Sequence, residues 1–238
     1  MRKNTIKTFA LVAGLSSTFA FSAAEAVVIT PSGSVGGAPT GVVHQNFDSF
    51  TVGSTSDATI GIMTVKFLGG GAQPVQGAVG GQYAAPYLSG GNGTGFGGQP
   101  DGADTTTYLT TGVGSVELDF SQNLTYLGLL WGSIDGYNSI TFYEGNTFLK
   151  SFSGSDILSS ANGDQGVNGT LYVNFTSDTT FDRVVFSSSQ YAFEFDNVAY
   201  NQTIARDVDP SPAPEPITLS VFGAGLAGLG ALRRRRKA

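Results

Sequence analysis

The residues of this chain best suited to chemistry are two pairs of carboxylates, each with its members two positions apart. Glu117 and Asp119 form one pair, and Glu194 and Asp196 form the other. On a β-strand such residues share a face, with β-carbons about 7 Å apart, a separation that permits the acid and base of a glycoside hydrolase. The polar face of any exposed strand produces the same spacing without catalysis. We therefore expect no enzyme and keep a glycan-active hydrolase as an alternative.

Asp196 also stands where the apolar periodicity of its segment changes. The phenylalanines before it have one parity, whereas Val198 and Tyr200 after it have the other. Either a bulge intervenes, or the Asp196 carboxylate points inward and needs partners. Backbone N–H groups would satisfy it, and so would a structural calcium ion shared with an early acidic residue such as Asp48. Both alternatives stay open, and no cofactor is required.

Several kinds of site are excluded by composition. The chain has no cysteine and one histidine, His44. A cysteine nucleophile, a thiolate metal site and a multi-histidine zinc site are therefore impossible. We interpret His44 as an ordinary residue of a first strand within residues 42–47.

Three aromatic residues lie on or beside one predicted hairpin: Trp131, Tyr137 and Tyr143. Exposed aromatic rings can stack on sugars, so a carbohydrate-binding, lectin-like module is a second alternative. Trp131 follows a run of leucines, which favours a core position. Tyr137 follows the Asp135-Gly136 turn and is the better candidate for exposure.

The elements that must position these residues are strands. Short period-2 segments separated by Gly, Asn, Asp and Ser predict an antiparallel β protein. The predicted strands cover residues 60–67, 115–120, 124–131, 139–143, 147–152, 169–175, 181–186 and 192–200. No amphipathic helix of ten residues appears. We predict an all-β, antiparallel two-sheet sandwich of jelly-roll type over residues 27–203, with a glycine-rich loop at 69–102 and a linker at 204–213.

Both ends carry targeting signals. Residues 1–26 have a basic start, an apolar stretch and an Ala24-Glu25-Ala26 cleavage site, the pattern of a signal peptide. The tail, residues 214–238, has Pro214-Glu215-Pro216 and then the uncharged stretch 217–232. Four arginines follow: Arg233, Arg234, Arg235 and Arg236. As a transmembrane helix the stretch would be about 24 Å long, with its C-terminal end cytoplasmic.

This tail resembles that of the PEP-CTERM surface proteins of Gram-negative bacteria. The resemblance implies cleavage by an exosortase, a membrane-embedded protease, at or near Pro214-Glu215-Pro216. It also implies export associated with extracellular polysaccharide and biofilm matrix. Residues 128–143, 172–175 and 192–200 resemble a recurrent family of exosortase-dependent surface proteins, which implies a β-sandwich without assigned catalytic residues.

Charge limits the partners. Residues 27–214 contain 16 Asp or Glu against 4 Lys or Arg, a net charge of −12, so nucleic-acid binding is not expected. Expected partners are signal peptidase, exosortase and extracellular polysaccharide, with the membrane as a temporary hold before processing. We expect export through the inner membrane as a membrane-held precursor, then a location at the cell surface or outside the cell.

Overall fold

The protein consists almost entirely of antiparallel β-strands. The computed structural model describes residues 28–34 and 37–201. The strands are β1 (Ile29–Ser34), β2 (Val43–Gln45), β3 (Ala58–Ile60), β4 (Met63–Phe67), β5 (Gln73–Val75), β6 (Tyr87–Leu88), β7 (Gly102–Ala103), β8 (Tyr108–Thr110), β9 (Ser115–Gly132), β10 (Asn138–Glu144), β11 (Thr147–Ser153), β12 (Leu171–Ser188) and β13 (Glu194–Asn201). One short helix, α1 (Gly154–Ile157), follows β11. The predicted all-β, antiparallel class is confirmed, while the predicted signal helix and transmembrane helix lie outside the described residues.

Two long strands, β9 and β12, organise the main sheet. Each has 18 residues, and the two pair antiparallel from Leu171 opposite Trp131 to Ser187 opposite Ser115, with the register broken around Phe181. The sequence pattern predicted four shorter strands in their place. Polar residues at 121–123 and 178–180 resemble turns, but the chain stays extended through both segments.

The sheet order places β13 near the centre. The main path is β11-β10-β12-β9-β13-β8-β5, with β1 on β12, β4 on β9, β3 on β4 and β2 on β13. Strands β6 and β7 form a separate two-stranded ribbon. A turn at residues 144–146 joins β10 to β11, and Gly145 has the positive φ of +55° that this hairpin turn requires.

Aromatic residues fill the core on one face of β13. Phe193 stacks on Trp131 with ring centroids 4.3 Å apart, and Phe195 stacks on Phe186 at 4.2 Å. All four side chains are fully buried. Stacked, fully desolvated rings of this kind contribute both buried apolar area and specific ring–ring attraction.

The glycine-rich segment covers the opposite face. Its first part includes β5, which belongs to the main sheet. Its later part forms the cover, where Leu88 and Phe96 pack on Tyr126, Leu130 and Tyr172 of the main sheet. The predicted glycine-rich loop therefore includes a packed cover that shares a small hydrophobic cluster with the main sheet. The contact is close at Gly132 of β9, where a β-carbon would lie 2.9 Å from Cα of a proline in the cover.

Truncating Phe195 tests the importance of the stacked core. We expect Phe195→Ala to lower the free energy of unfolding by about 3–5 kcal/mol, because it removes a buried ring from a site that cannot close around the cavity. Phe148→Ala is the control, since that ring is 59% exposed, and it should cost below about 1 kcal/mol. Urea denaturation measures both values. Equal losses in the two variants would contradict this description of the core.

Candidate functional site

Strand β13 presents its acidic face to the glycine-rich cover. Phe193 and Phe195 point into the aromatic core, so Glu194 and Asp196 point the other way. Both carboxylates are nevertheless buried, at 2% and 0% exposure. The structure thus places one of the sequence-predicted acid pairs beneath the cover, where each member has different surroundings.

Glu194 borders a polar cavity of about 220 Å³ at one end of the cover. Its lining includes Tyr83, Tyr137, Tyr191, Ser133, Asp135 and Glu194, and we call it the tyrosine cavity. Tyr191 is 48% exposed at its edge. A concave site lined by tyrosines and several hydrogen-bonding groups suits a polar ligand that also has apolar faces.

The Glu194 carboxyl group is held by two donors. The backbone N–H of Ala84 donates to Oε1 at 3.1 Å, and the Ser133 hydroxyl donates to Oε2. Burial raises the pKa of Glu194 to about 7, although both hydrogen bonds oppose the rise. Near neutral pH this group therefore exists in both protonation states, so it can donate a hydrogen bond to a ligand or accept one.

Asp135 and Tyr137 form the opposite wall of the tyrosine cavity. The Tyr137 hydroxyl donates to Asp135 Oδ2 at 2.6 Å and lies 3.0 Å from the carbonyl oxygen of Tyr191. Burial, and then the hydrogen bond to Asp135, raises the pKa of Tyr137, so its hydroxyl stays protonated. Gly163 is required beside this wall, because it has a φ of +72° and a β-carbon there would lie 2.6 Å from Asp135 Oδ2.

The three predicted sugar-stacking residues do not share a surface. Trp131 is fully buried against Phe193, so it offers no ring face to a sugar, which corrects its inclusion in a binding surface. Tyr143 lies toward the far end of β10, six residues from Tyr137, where the Arg183 guanidinium stacks on its ring at 4.3 Å. Of the three predicted residues, Tyr137 alone lines the tyrosine cavity. The sequence pattern did not identify the other two tyrosines of the cavity, Tyr83 and Tyr191.

The second carboxylate pair is bridged by cations. Lys66 Nζ lies 3.0 Å from Glu117 Oε1 and also bonds Asp119 Oδ2, while Arg183 Nη1 lies 3.4 Å from Glu117 Oε2. The bond to Asp119 and then the bond to Glu117 raise the pKa of Lys66. This arrangement is an ion-pair network on a partly exposed sheet face, a modest contributor to stability.

Asp196 lies beside a carboxylate that the sequence pattern did not indicate. The charges of Asp104, which is 2% exposed, and of Asp48 both act on Asp196. Asp104 is also linked through Gln99 to Asn197, the neighbour of Asp196. Asp48 itself is exposed and accepts hydrogen bonds from Asn46 Nδ2 at 2.8 Å and from the N–H of Thr107 at 3.3 Å. The predicted calcium pair of Asp48 and Asp196 stays a prediction.

The described residues hold no conventional metal centre. Among residues 28–34 and 37–201, no three His, Cys, Asp or Glu side chains are grouped so that they could bind a metal ion by themselves. His44 packs edge-on against Phe96 at 4.8 Å, in keeping with its interpretation as a strand residue. Any bound cation would need amide or backbone oxygens among its ligands.

Comparison with known proteins supports the prediction for the tail. The family model of the PEP-CTERM protein-sorting motif matches residues 212–236, so the suspected sorting motif is confirmed. The motif implies an exported, surface-associated protein that is processed by an exosortase. No curated protein matches the chain. Among the described residues no helix is long and apolar enough to cross a membrane. The other predicted sorting residues, Ala24 and Ala26, lie outside the described residues.

Removing the hydroxyl of Ser133 tests whether Glu194 depends on its donors. We expect Ser133→Ala to lower the free energy of unfolding by about 1–3 kcal/mol, because a buried carboxyl oxygen loses its hydrogen bond. Serine and alanine both carry a β-carbon, so the substitution leaves the backbone strain of the positive φ at position 133 (+37°) unchanged. Ser121→Ala, on the exposed part of β9, is the matched control and should stay within about 0.5 kcal/mol of the native protein. Equal effects of the two substitutions would show that the bond does not stabilise the fold.

Proposed function

We propose that this protein is a non-catalytic component of the cell surface or extracellular matrix, associated with exopolysaccharide or biofilm. The sorting motif at residues 212–236 carries the proposal. A domain with a net charge of −12 and no cysteine suits a highly hydrated matrix outside the cell, since excess charge of one sign favours solubility. Lys66 forms ion pairs with both Glu117 and Asp119, which supports a structural role for these two carboxylates.

The proposed route to the surface uses both ends of the chain. Signal peptidase would cut after Ala26, and the apolar stretch 217–232 would hold the precursor in the inner membrane. Exosortase would then cut at or near Pro214-Glu215-Pro216. We further infer that the exported part is a two-sheet sandwich of jelly-roll type. Strands β9 and β12 support this, because each pairs with different neighbours along its two halves.

Intact-mass measurement of protein from the native host tests this route. We expect a mature chain that begins at Val27 and lacks the residues after about Pro216. Pro216→Ala should leave the tail attached, because the substitution disrupts the cleavage motif, whereas the linker control Pro210→Ala should be processed normally. A mature native chain that still contains Arg233 to Arg236 would contradict the proposal.

A second candidate function is carbohydrate binding in the tyrosine cavity. Tyr83, Tyr137 and Tyr191 line one concave site together with Glu194 and Asp135, and tyrosines combine ring faces for stacking with hydroxyls for hydrogen bonding. The acidic groups disfavour anionic sugars, so the ligand would be a neutral glycan. The alternative of a glycan-active hydrolase would use the same cavity. Its general acid would be Glu194, because burial raises the pKa of this carboxyl group to about 7.

A glycan array with the exported protein tests this candidate. We expect binding of a neutral glycan that weakens several-fold to about tenfold in Tyr191→Ala, because one stacking face is lost. Tyr143→Ala, outside the cavity, is the matched control and should bind like the native protein. Release of shorter products from the bound glycan, abolished by Glu194→Gln, would favour the hydrolase. No binding to any neutral glycan would exclude this second candidate.

A further inference from the structure

Four buried oxygen atoms beneath the glycine-rich cover have no hydrogen-bond donor. They are Asp104 Oδ2, both carboxylate oxygens of Asp196, and Asn197 Oδ1. Asp196 and Asn197 are fully buried, and Asp104 is 2% exposed. Buried side-chain oxygens nearly always have partners, because an unpaired polar group in a dry environment costs several kcal/mol and an unpaired charge costs more.

Local structure brings these oxygens together. The register of β13 against β9 shifts between Asp196 and Ala199, and Asn197 has a φ of +53°, so this is the bulge that the change of parity indicated. Asp104 is held opposite by its own N–H, which donates to the carbonyl oxygen of Pro86 at 2.8 Å. Two neighbouring residues of the bulge thus lie near a fixed residue that follows directly after the cover.

Gln99 connects the two sides and fixes the orientation of the Asn197 amide. Asn197 Nδ2 donates to Gln99 Oε1 at 2.6 Å, and Gln99 Nε2 contacts Asp104 Oδ1 at 3.5 Å. The nitrogen of Asn197 is therefore committed to Gln99, which leaves Asn197 Oδ1 as a free acceptor. Gln99 is half-buried and gives the cluster a boundary with solvent.

No basic side chain neutralises the cluster. The lysines and arginines of the described residues are Lys66, Lys150 and Arg183, and the histidine, His44, packs edge-on against Phe96. The salt bridges of Lys66 and Arg183 in that part of the chain go to Glu117 and Asp119, and Lys150 forms none. Two buried carboxylates and the nearby charge of Asp48 therefore face one another without a cationic side chain. Such a group of like charges either takes up protons or binds a cation.

We propose that Asp104, Asp196 and the side-chain oxygen of Asn197 bind a calcium ion, with the charge of Asp48 adding to the attraction. Calcium takes six to eight oxygen ligands and accepts amide and backbone carbonyls. The four unpartnered oxygens would supply part of this set, and backbone carbonyl oxygens would complete it. Zinc prefers nitrogen and sulfur ligands, and magnesium retains several waters, which a buried cluster does not accommodate. The ion would fasten the glycine-rich cover to the central strand β13.

A shared proton is the competing explanation for the same cluster. Burial, followed by the charge of Asp104, raises the pKa of Asp196 well above its usual value. The backbone N–H of Asn197 opposes this rise, although its geometry falls short of a hydrogen bond. A protonated Asp196 would donate to Asp104 Oδ2 and satisfy both groups without metal.

Calcium titration of the full-length protein, followed by calorimetry and by thermal unfolding, distinguishes the two explanations. After treatment with EDTA, calcium at a hundred times its Kd should raise Tm by roughly 5–10 °C, and calorimetry should show one bound ion per chain. Magnesium at the same concentration should give a much smaller shift. A shared proton instead predicts no calorimetric binding and an unchanged Tm.

Substitution of Asp196 locates the ion. Asp196→Asn should abolish the calcium-dependent rise in Tm, yet keep the EDTA-treated protein folded, because the amide resembles the neutral acid in shape and can donate to Asp104. Asp57→Asn removes an exposed carboxylate elsewhere and should keep the full rise. If Asp196→Asn does not fold, Asp104→Asn takes its place. The proposal would be overturned if calcium still binds after Asp196→Asn and after Asp104→Asn, or if the native protein does not bind calcium.

Discussion

Burial of strand β13 on both faces is the constraint on which the rest of the structure depends. One face contributes Phe195, with Phe193 directly before the strand, to the aromatic core, and the other carries Glu194 and Asp196, which are 2% and 0% exposed. A carboxyl group removed from water needs donors, a proton or a cation. Glu194 has donors in Ala84 and Ser133, whereas Asp196 has another carboxylate beside it.

The glycine-rich cover makes this burial possible. Its high glycine content is explained by how closely it lies on the sheet. A cover that lies directly on a sheet must bring backbone against backbone, as it does at Gly132. Small residues permit that approach, while Leu88 and Phe96 supply the apolar contacts that hold the segment in place. The tyrosine cavity and the Asp104–Asp196 cluster are both consequences of the cover, because each is formed where it meets β13.

The sequence pattern predicts the strands well wherever periodicity decides the outcome. The parity change near Asp196 indicated either a bulge or an inward-pointing carboxylate. The structure has both, because the register shifts after Asp196 and its side chain is fully buried. The continuity of β9 through residues 121–123 was missed, because pairing with β12 overrides local turn preference. Asp104 could not be identified, because it is 92 positions from Asp196 in a segment without periodicity, and only tertiary folding brings it close. Trp131 is buried in the core, as the run of leucines before it indicated.

The central place of β13 in the sheet also determines when the fold can be completed. It is the last strand along the described chain, yet it pairs with β2, β8 and β9, which come much earlier. Such non-local pairing makes folding slow, and the core stays open until the C-terminal strand is available. The sheet therefore lacks one of its central strands until the last part of the described chain is available to fold.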